Sequence, residues 1–334
     1  MKKILHVINS VETVGGAEKI VSELCDRDNL NQHHFVNLYP KPSNISVLEK
    51  IWYLLLFVLK IINLRSKFDV FHFHLFPSLY LSLFFPKGKC IIHEHNTSNR
   101  RRDISFFKPI ERLIYSRVKR VICISEATGN SLNDWCGPLD NTVVVPNFSR
   151  FDYVNIPNDI GSERSLVMVA SFTEQKNHTL VVNAMKYLEE DVVLYFLGDG
   201  PKRETVERFV YENNLTHRVN FEGNVKNVSH YFSKCNLALL LSFWEGFGMV
   251  VVEAASLNRP TLCSNVSGLN NVVLRDDLLF DNDRGGEELA RKITTTLEKI
   301  RKDSNYFDSY CSQLSNTYSF SKFVNRLDAI YKGI

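Results

Sequence analysis

Residues Leu239–Gly268 read LLLSFWEGFGMVVVEAASLNRPTLCSNVSG, and this stretch decides the fold. Leu237 to Leu241 is a short apolar run with the length of a buried strand. Glu245-Gly246-Phe247-Gly248 is a glycine-bearing turn, and the apolar run from Met249 reads as a helix that carries Glu253. Pro260 to Ser264 reads as a second short strand. Strand, turn, helix and strand in succession point to a doubly wound α/β sheet. Glu245 and Glu253 stand on either side of the helix start. A helix start presents free backbone N–H groups and the positive end of the helix dipole. Such a place suits a polyhydroxylated, phosphorylated ligand: carboxylates accept hydrogen bonds from hydroxyls while the N–H groups meet the anionic part. The plain alternative is a loop charge and a helix-face charge with no ligand.

The remaining 304 positions are consistent with two such sheets, because a chain of 334 residues exceeds the size at which single cores stop growing, about 250–300 residues. A charged fraction of 23% beside 44% hydrophobic residues excludes a disordered chain. Cys25, Cys90, Cys123, Cys136, Cys235, Cys263 and Cys311 are odd in number and never spaced C-x-x-C. That argues against a disulfide framework and a zinc site, and for a reducing, cytoplasmic setting. Met1–Ser10 has too short an apolar run for a signal peptide and reads as a first strand. Residues 1–150 hold 20 Lys+Arg against 13 Asp+Glu, while the rest holds 20 against 24. The first half thus favours an anionic surface or substrate, without the basicity that nucleic acid would call for.

Along that half, Lys3–Ile8 is the first strand, and Gly15-Gly16-Ala17-Glu18 opens a helix with Ile20, Val21 and Leu24 on one face. Glycines there either let a phosphate approach the backbone or make a plain tight turn. Asp26-Arg27-Asp28 ends a helix and reads as solvated surface; His33 and His34 read as loop. Val47–Leu64 is the most apolar segment, but Lys60 and Asn63 stop it short of the roughly 20 residues of a membrane span. It is either a helix packed on the sheet or a surface that docks on a membrane, with Lys50, Lys60, Arg65 and Lys67 at the headgroups. Asp69–His74 and Lys89–His93 are further strands, and His95 follows the second where ligands of parallel sheets gather. Arg100, Arg101 and Arg102 come next, as a binding site for a diphosphate acceptor or anionic lipid, or as a solvated loop. Arg120–Ser125 and Thr142–Val145 complete the half, with Ser125 as a helix cap.

The alternation restarts with strand Ser165–Ala170, and Lys176 stands just before the helix Thr179–Leu188, where an ammonium can meet a diphosphate. Val192–Leu197 runs into Gly198-Asp199-Gly200-Pro201. Val219–Glu222 is a strand, Val225–Cys235 a helix, and residues 286–302 and Ser319–Tyr331 are amphipathic helices.

The pattern Ser242-x-x-Glu245-Gly246-Phe247-Gly248, continued by Glu253-Ala254 and the Pro260 strand, resembles the E-x7-E signature of the retaining family 4 glycosyltransferases. Gly15–Glu18 resembles their first loop, which lies against the donor diphosphate or the acceptor. Pro146-Asn147 resembles their hinge turn, Gly198–Pro201 their G-D/E-G-P turn, and Lys176 the lysine of their G-R-x4-K pattern. Ala170 and Ser171 stand where that pattern has Gly and Arg, so another cation, Lys202 or Arg203, must substitute or activity is weak. Asn258 and Asn271 replace a usual glycine and glutamate. The resemblance implies the GT-B fold, two doubly wound Rossmann-like domains facing a cleft. Residues 1–150 would bind the acceptor, 151–318 the nucleotide sugar, and 319–334 would form a C-terminal helix crossing back to the first domain.

By the same resemblance the chain moves a sugar, with retention, from a nucleotide sugar, expected to be UDP-linked, to a glycan or lipid-linked acceptor in polysaccharide biosynthesis. Neither a cofactor nor a metal is implied, and peripheral contact with the inner face of the plasma membrane is. Glu253 would hold the ribose hydroxyls; Glu245 and the N–H groups of Phe247, Gly248 and Met249 would hold the sugar. Gly15, Gly16, Ser171, Gly198 and Gly246 would line the donor site. Lys176 would stabilise the departing diphosphate, and His95 would lie beside the reacting carbon or the acceptor. Arg100, Arg101 and Arg102 would serve the acceptor. An oxidoreductase would show G-x-G-x-x-G after its first strand, which is missing here. A weak or inactive GT-B scaffold that partners an active transferase stays open, because Ser171 and Asn271 depart from the pattern.

Overall fold

The computed structural model describes residues 1–9, 15–39, 64–161 and 163–334, with positions 46, 49, 52, 53, 56 and 57 between them. Most of the apolar segment Val47–Leu64 therefore lies outside the described residues; within it, Phe57 is buried and Trp52 exposed. Among the described residues no helix is long and apolar enough to cross a membrane. The chain divides into two compact units, Met1–Asn147 with Phe320–Ile334, and Phe148–Ser319.

The first unit is built on six parallel strands: β1 (Lys3–Ile8), β2 (Gln32–Asn37), β3 (Val70–His74), β4 (Cys90–Glu94), β5 (Arg120–Cys123) and β6 (Thr142–Val144). Their order is β2-β1-β3-β4-β5-β6. Strands β3 and β4 are buried throughout, and His72, His74, His93 and Glu94 are buried along with their apolar residues. Strand β2 corrects the loop assignment of His33 and His34. It pairs with β1 in register Ile4↔His33 and His6↔Phe35. As an edge strand it leaves much of QHHFVN exposed, so no apolar run marked it. Ser125 caps the helix Glu126–Cys136 by accepting from Thr128 N at 3.1 Å. The last helix, Phe320–Lys332, belongs to this unit, burying Phe323, Leu327 and Tyr331.

The second unit holds β7 (Arg164–Val169), β8 (Val192–Leu197), β9 (Val219–Gly223), β10 (Leu237–Leu240), β11 (Thr261–Ser264) and β12 (Leu279–Phe280). Their order is β12-β11-β10-β7-β8-β9. This is the doubly wound dinucleotide-fold order, and it reverses between β7 and β10. Leu166, Met168, Leu194, Phe196, Leu237 and Leu239 of the strands pack on Val181, Met185, Leu289 and Ile293 of the covering helices. Each such side chain contributes about 1.5–3 kcal/mol by leaving water. The helix Asp308–Thr317 escaped the sequence reading, since DSYCSQLSNT buries only Cys311, Leu314 and Ser315. The sheet thus presents the loops after β7 and β10 side by side at its switch point, where ligands of open α/β sheets bind.

Candidate functional site

The loop after β7 carries Ser171 to Lys176, and the loop after β10 carries Ser242 to Gly248. Hydrogen bonds stitch them together: Phe243 N donates to Gln175 O at 2.8 Å, and Gln175 Nε2 to Trp244 O at 2.6 Å. Lys176 Nζ forms an ion pair with Glu245 Oε1, which also accepts from Ser242 Oγ at 2.9 Å. The sequence reading set this lysine and this glutamate on different parts of a ligand. The structure brings them into direct contact. Asn282 Nδ2 braces the loop from β12's end by donating to Ser242 O at 3.0 Å.

Two glycines let these loops close on each other. Gly268 has φ +93°, and a Cβ there would stand 2.3 Å from Glu245 O. Gly198, at φ +141°, would place a Cβ 2.1 Å from Ala170 O, so the turn after β8 lies directly on the end of β7. Gly248 precedes the helix Met249–Ser256, whose first turn points its N–H groups toward the same end of the sheet. Gly246 is half-buried, and Phe247 is buried edge-on against Tyr318 at 5.1 Å.

Glu253 is 3% exposed and accepts from Arg150 Nε at 2.6 Å. Arg150 is a residue the sequence reading missed; its only signal is its place just past the Pro146-Asn147 turn. Ser171 is exposed at the mouth of the β7 loop. The two cations considered as its substitutes are engaged elsewhere: Lys202 with Glu174 at 2.8 Å, Arg203 with Glu207 at 2.7 Å. Beneath Lys176, His178 stacks on Phe172 at 4.1 Å, and burial, helped by the Lys176 charge, pushes its pKa down to about 4.

In the first unit Gly15 precedes the helix Gly16–Arg27 in extended conformation. His95 follows β4, stacked on His93 at 4.3 Å, with Nε2 3.1 Å from His74 Nδ1. Burial drives its pKa down to about 3. Arg101 Nε donates to buried Glu111 at 2.6 Å, and its guanidinium lies 4.5 Å over the Phe76 ring. Arg102 Nη1 donates to Ser131 Oγ at 2.7 Å and Thr97 O at 3.0 Å. Both guanidiniums thus bind this unit's own groups; the Arg100 side chain lies outside the described residues. Asp28 corrects the reading of Asp26-Arg27-Asp28 as solvated surface: its carboxylate is enclosed and lies 2.5 Å from His33 Nε2. A charge pattern cannot show this, because the strand Gln32–Asn37, starting just after the helix, brings His33 back beside the helix end. Three ring nitrogens come within 4.8 Å of one another in His6/His72/His74 and in His74/His93/His95. The His6 and His74 nitrogens that face each other share a hydrogen bond at 2.9 Å, so they are read as hydrogen-bonding groups.

Two family models cover nearly all of this architecture: Glycosyltransferase Family 4 matches residues 14–149, and Glycosyl transferases group 1 matches residues 152–311. The chain belongs to the family 4 glycosyltransferases. Its two doubly wound units are the GT-B fold, and HepE of Anabaena, solved with UDP and glucose, superposes with a TM-score of 0.81 over 100% of both chains at 15% identity. N-acetyl-alpha-D-glucosaminyl L-malate synthase of Bacillus anthracis is 29% identical over 223 residues, 63% of this chain and 58% of that protein. The N-acetylgalactosamine-N,N'-diacetylbacillosaminyl-diphospho-undecaprenol 4-alpha-N-acetylgalactosaminyltransferase of Campylobacter jejuni is 27% identical over 145 residues, 42% of this chain and 40% of that protein. This family 4 chain therefore spans about half the length of the curated relatives it matches.

Proposed function

We propose that the protein is a retaining glycosyltransferase that takes a sugar from a UDP-sugar and places it on a glycan or lipid-linked acceptor in polysaccharide assembly. One observation carries the reading: buried Glu245 and Glu253 flank the start of helix Met249–Ser256 at the switch point of the second sheet, with Lys176 on the neighbouring loop. Glu253 accepts from the ribose hydroxyls, held in place by Arg150. Glu245 and the N–H groups of Phe247, Gly248 and Met249 take the sugar hydroxyls. Lys176 then neutralises charge as it develops on the leaving diphosphate, so the proposal requires no metal ion there. UDP in the HepE complexes supports the nucleotide, and the diphospho-undecaprenol in the Campylobacter protein's name supports a lipid-linked acceptor. The excess of basic residues in 1–150 fits an anionic acceptor at the inner face of a membrane.

A thermal-shift screen of UDP-glucose, UDP-galactose, UDP-N-acetylglucosamine and UDP-N-acetylgalactosamine tests the donor. A true donor at 100 times its Kd raises stability by about 2.7 kcal/mol. No shift with any of them, and no sugar transfer to a lipid extract, would sink the reading. Exposed Ser171, in place of a phosphate-facing arginine, favours a second reading as a weakly active partner of another transferase. Donor binding without turnover would favour that one.

A further inference from the structure

Six imidazoles share one face of the first unit's sheet: His33 on β2, His6 on β1, His72 and His74 on β3, His93 on β4, and His95 just past it. Register explains the alignment. His33 lies opposite Ile4, two residues before His6, while His6 pairs with His72 and His74 with His93. Some of these rings lie face to face, as His72/His74 and His93/His95 do at 4.3 Å. Others meet end to end. His33 Nδ1 is 2.8 Å from His6 Nε2, His6 Nδ1 is 2.9 Å from His74 Nε2, and His74 Nδ1 is 3.1 Å from His95 Nε2. The ring centroids of these pairs are 5.1, 5.1 and 5.4 Å apart, as expected when nitrogens point at each other along the ring planes. At the far end His33 Nε2 meets Asp28 Oδ2 at 2.5 Å, with both side chains no more than 1% exposed.

This line has a direction. A carboxylate only accepts, so His33 donates from Nε2 and, as a neutral ring at rest, accepts at Nδ1. A neutral imidazole has one donor and one acceptor, so the same sense passes to His6, His74 and finally His95. Burial holds His6 and His74 neutral, their pKa values well below the ordinary 6.5. The last ring is left with its lone pair on Nδ1.

We propose that Asp28, His33, His6 and His74 form a proton relay that ends on His95, whose Nδ1 takes the proton of a substrate hydroxyl; the hydroxyl step rests on the transfer reaction proposed above. As the O–H bond breaks, His95 Nδ1–H forms and His95 Nε2–H passes to His74 Nδ1. His74 Nε2–H passes to His6 Nδ1, and His6 Nε2–H to His33 Nδ1. Every buried ring in the middle stays neutral, and the charge settles as a His33 imidazolium against the Asp28 carboxylate. Once the product has left, the reverse sequence releases the proton from His95 Nδ1 to water and restores every tautomer. His95 is the catalytic residue; the other four are positioning residues. His72, His93 and Tyr331 also face the line, Tyr331 through its hydroxyl 2.9 Å from His72 Nδ1.

Long-range ¹H–¹⁵N NMR of the full chain labelled at histidine reads each tautomer. The expected wild-type pattern is Nε2–H on His33, His6, His74 and His95. Asp28→Asn offers His33 a donor as well as an acceptor, so the His95 ring is expected to become a mixture of tautomers although it lies three rings away. A break in the line, His6→Gln or, should that fail to fold, His33→Gln, should make His95 blind to Asp28→Asn. His95 as Nδ1–H in the wild type, or unmoved by Asp28→Asn, overturns the relay. In parallel, UDP release from UDP-glucose and UDP-N-acetylglucosamine should fall on the order of 100-fold in kcat with Asp28→Asn. Donor KM should stay within about twofold, and the solvent deuterium isotope effect should change. Unaltered kcat overturns the relay's part in turnover, whereas a wild-type chain inert to both donors overturns the transfer reaction while the NMR pattern decides the relay itself.

Discussion

Arg150 Nε and Glu253 Oε1 lie 2.6 Å apart, which ties the first residues of the second unit to the helix that carries the candidate ribose ligand. A carboxylate aimed this way cannot swing away from a hydroxyl it serves. Glu253→Ala should therefore weaken donor binding by roughly 1.5–3 kcal/mol, one charge-assisted hydrogen bond, or one to two orders of magnitude in Kd. Calorimetric titration with the UDP-sugar chosen by the thermal-shift screen checks this, and Arg150→Ala should show part of the same loss. Wild-type affinity in Glu253→Ala would count against the ribose assignment.

Lys176 differs from Glu253 in what it should affect. Its partner charge is Glu245, and its proposed work falls on a diphosphate that gains charge only as the sugar leaves. Lys176→Met should lower kcat by about 100- to 1,000-fold while donor affinity changes far less. Steady-state kinetics separate the two parameters. An equal loss in affinity and none in kcat would make Lys176 a ground-state binder.

Gly268 offers a test of the loop without touching a charged group. Its φ of +93° is strained for any other residue, and the added methyl of Gly268→Ala would push on Glu245 O, 2.3 Å away. The expected cost is about 1–3 kcal/mol of stability, with donor binding lost as Glu245 shifts. Melting curves with and without donor measure both; a variant that binds donor normally would show that the loop's closure is not needed.

How much of this was legible beforehand differs from residue to residue. Leu237–Gly268 was legible because the fold and the chemistry share one short stretch: a buried strand, a glycine turn and a helix follow each other with no long-range partner needed. Glu245 and Glu253 were placed on either side of that helix start by spacing alone. The ion pair of Lys176 with Glu245 was not legible, because it joins residues 69 apart whose loops meet only when β7 and β10 lie side by side. Arg150 escaped for the same reason. The imidazole row was hidden more deeply. His33 looked like loop because an edge strand needs no apolar run, and without β2 the register that lines up His33, His6 and His74 cannot be drawn.

That row makes the first unit sensitive to mild acid. Burial, reinforced by neighbouring rings for all but His95, holds His6, His72, His74, His93 and His95 well below the ordinary pKa of 6.5, His95 to about 3. In the unfolded chain the same rings take up protons near pH 6.5. Below that value the unfolded state therefore binds more protons than the folded one, and stability rises with pH and falls with acid. Each ring contributes a loss that approaches about 1.4 kcal/mol per pH unit as the pH falls a unit or more below 6.5, until its own folded pKa is reached. Five rings together would remove several kcal/mol between pH 6.5 and 5.5, a large share of the 5–15 kcal/mol of an ordinary domain. This window lies above the range in which carboxylates titrate, about pH 4, so the two effects separate. His93 is the ring to remove, since both its nitrogens are buried without a hydrogen-bond partner and it stands outside the line that ends on Asp28. Urea unfolding at pH 7.5, 6.5 and 5.5 should show a steep fall in the wild type. In His93→Leu the fall between pH 6.5 and 5.5 should be shallower by about 1 kcal/mol. A wild-type stability flat across these three values would mean that the rings are protonated, or solvated, in the folded protein.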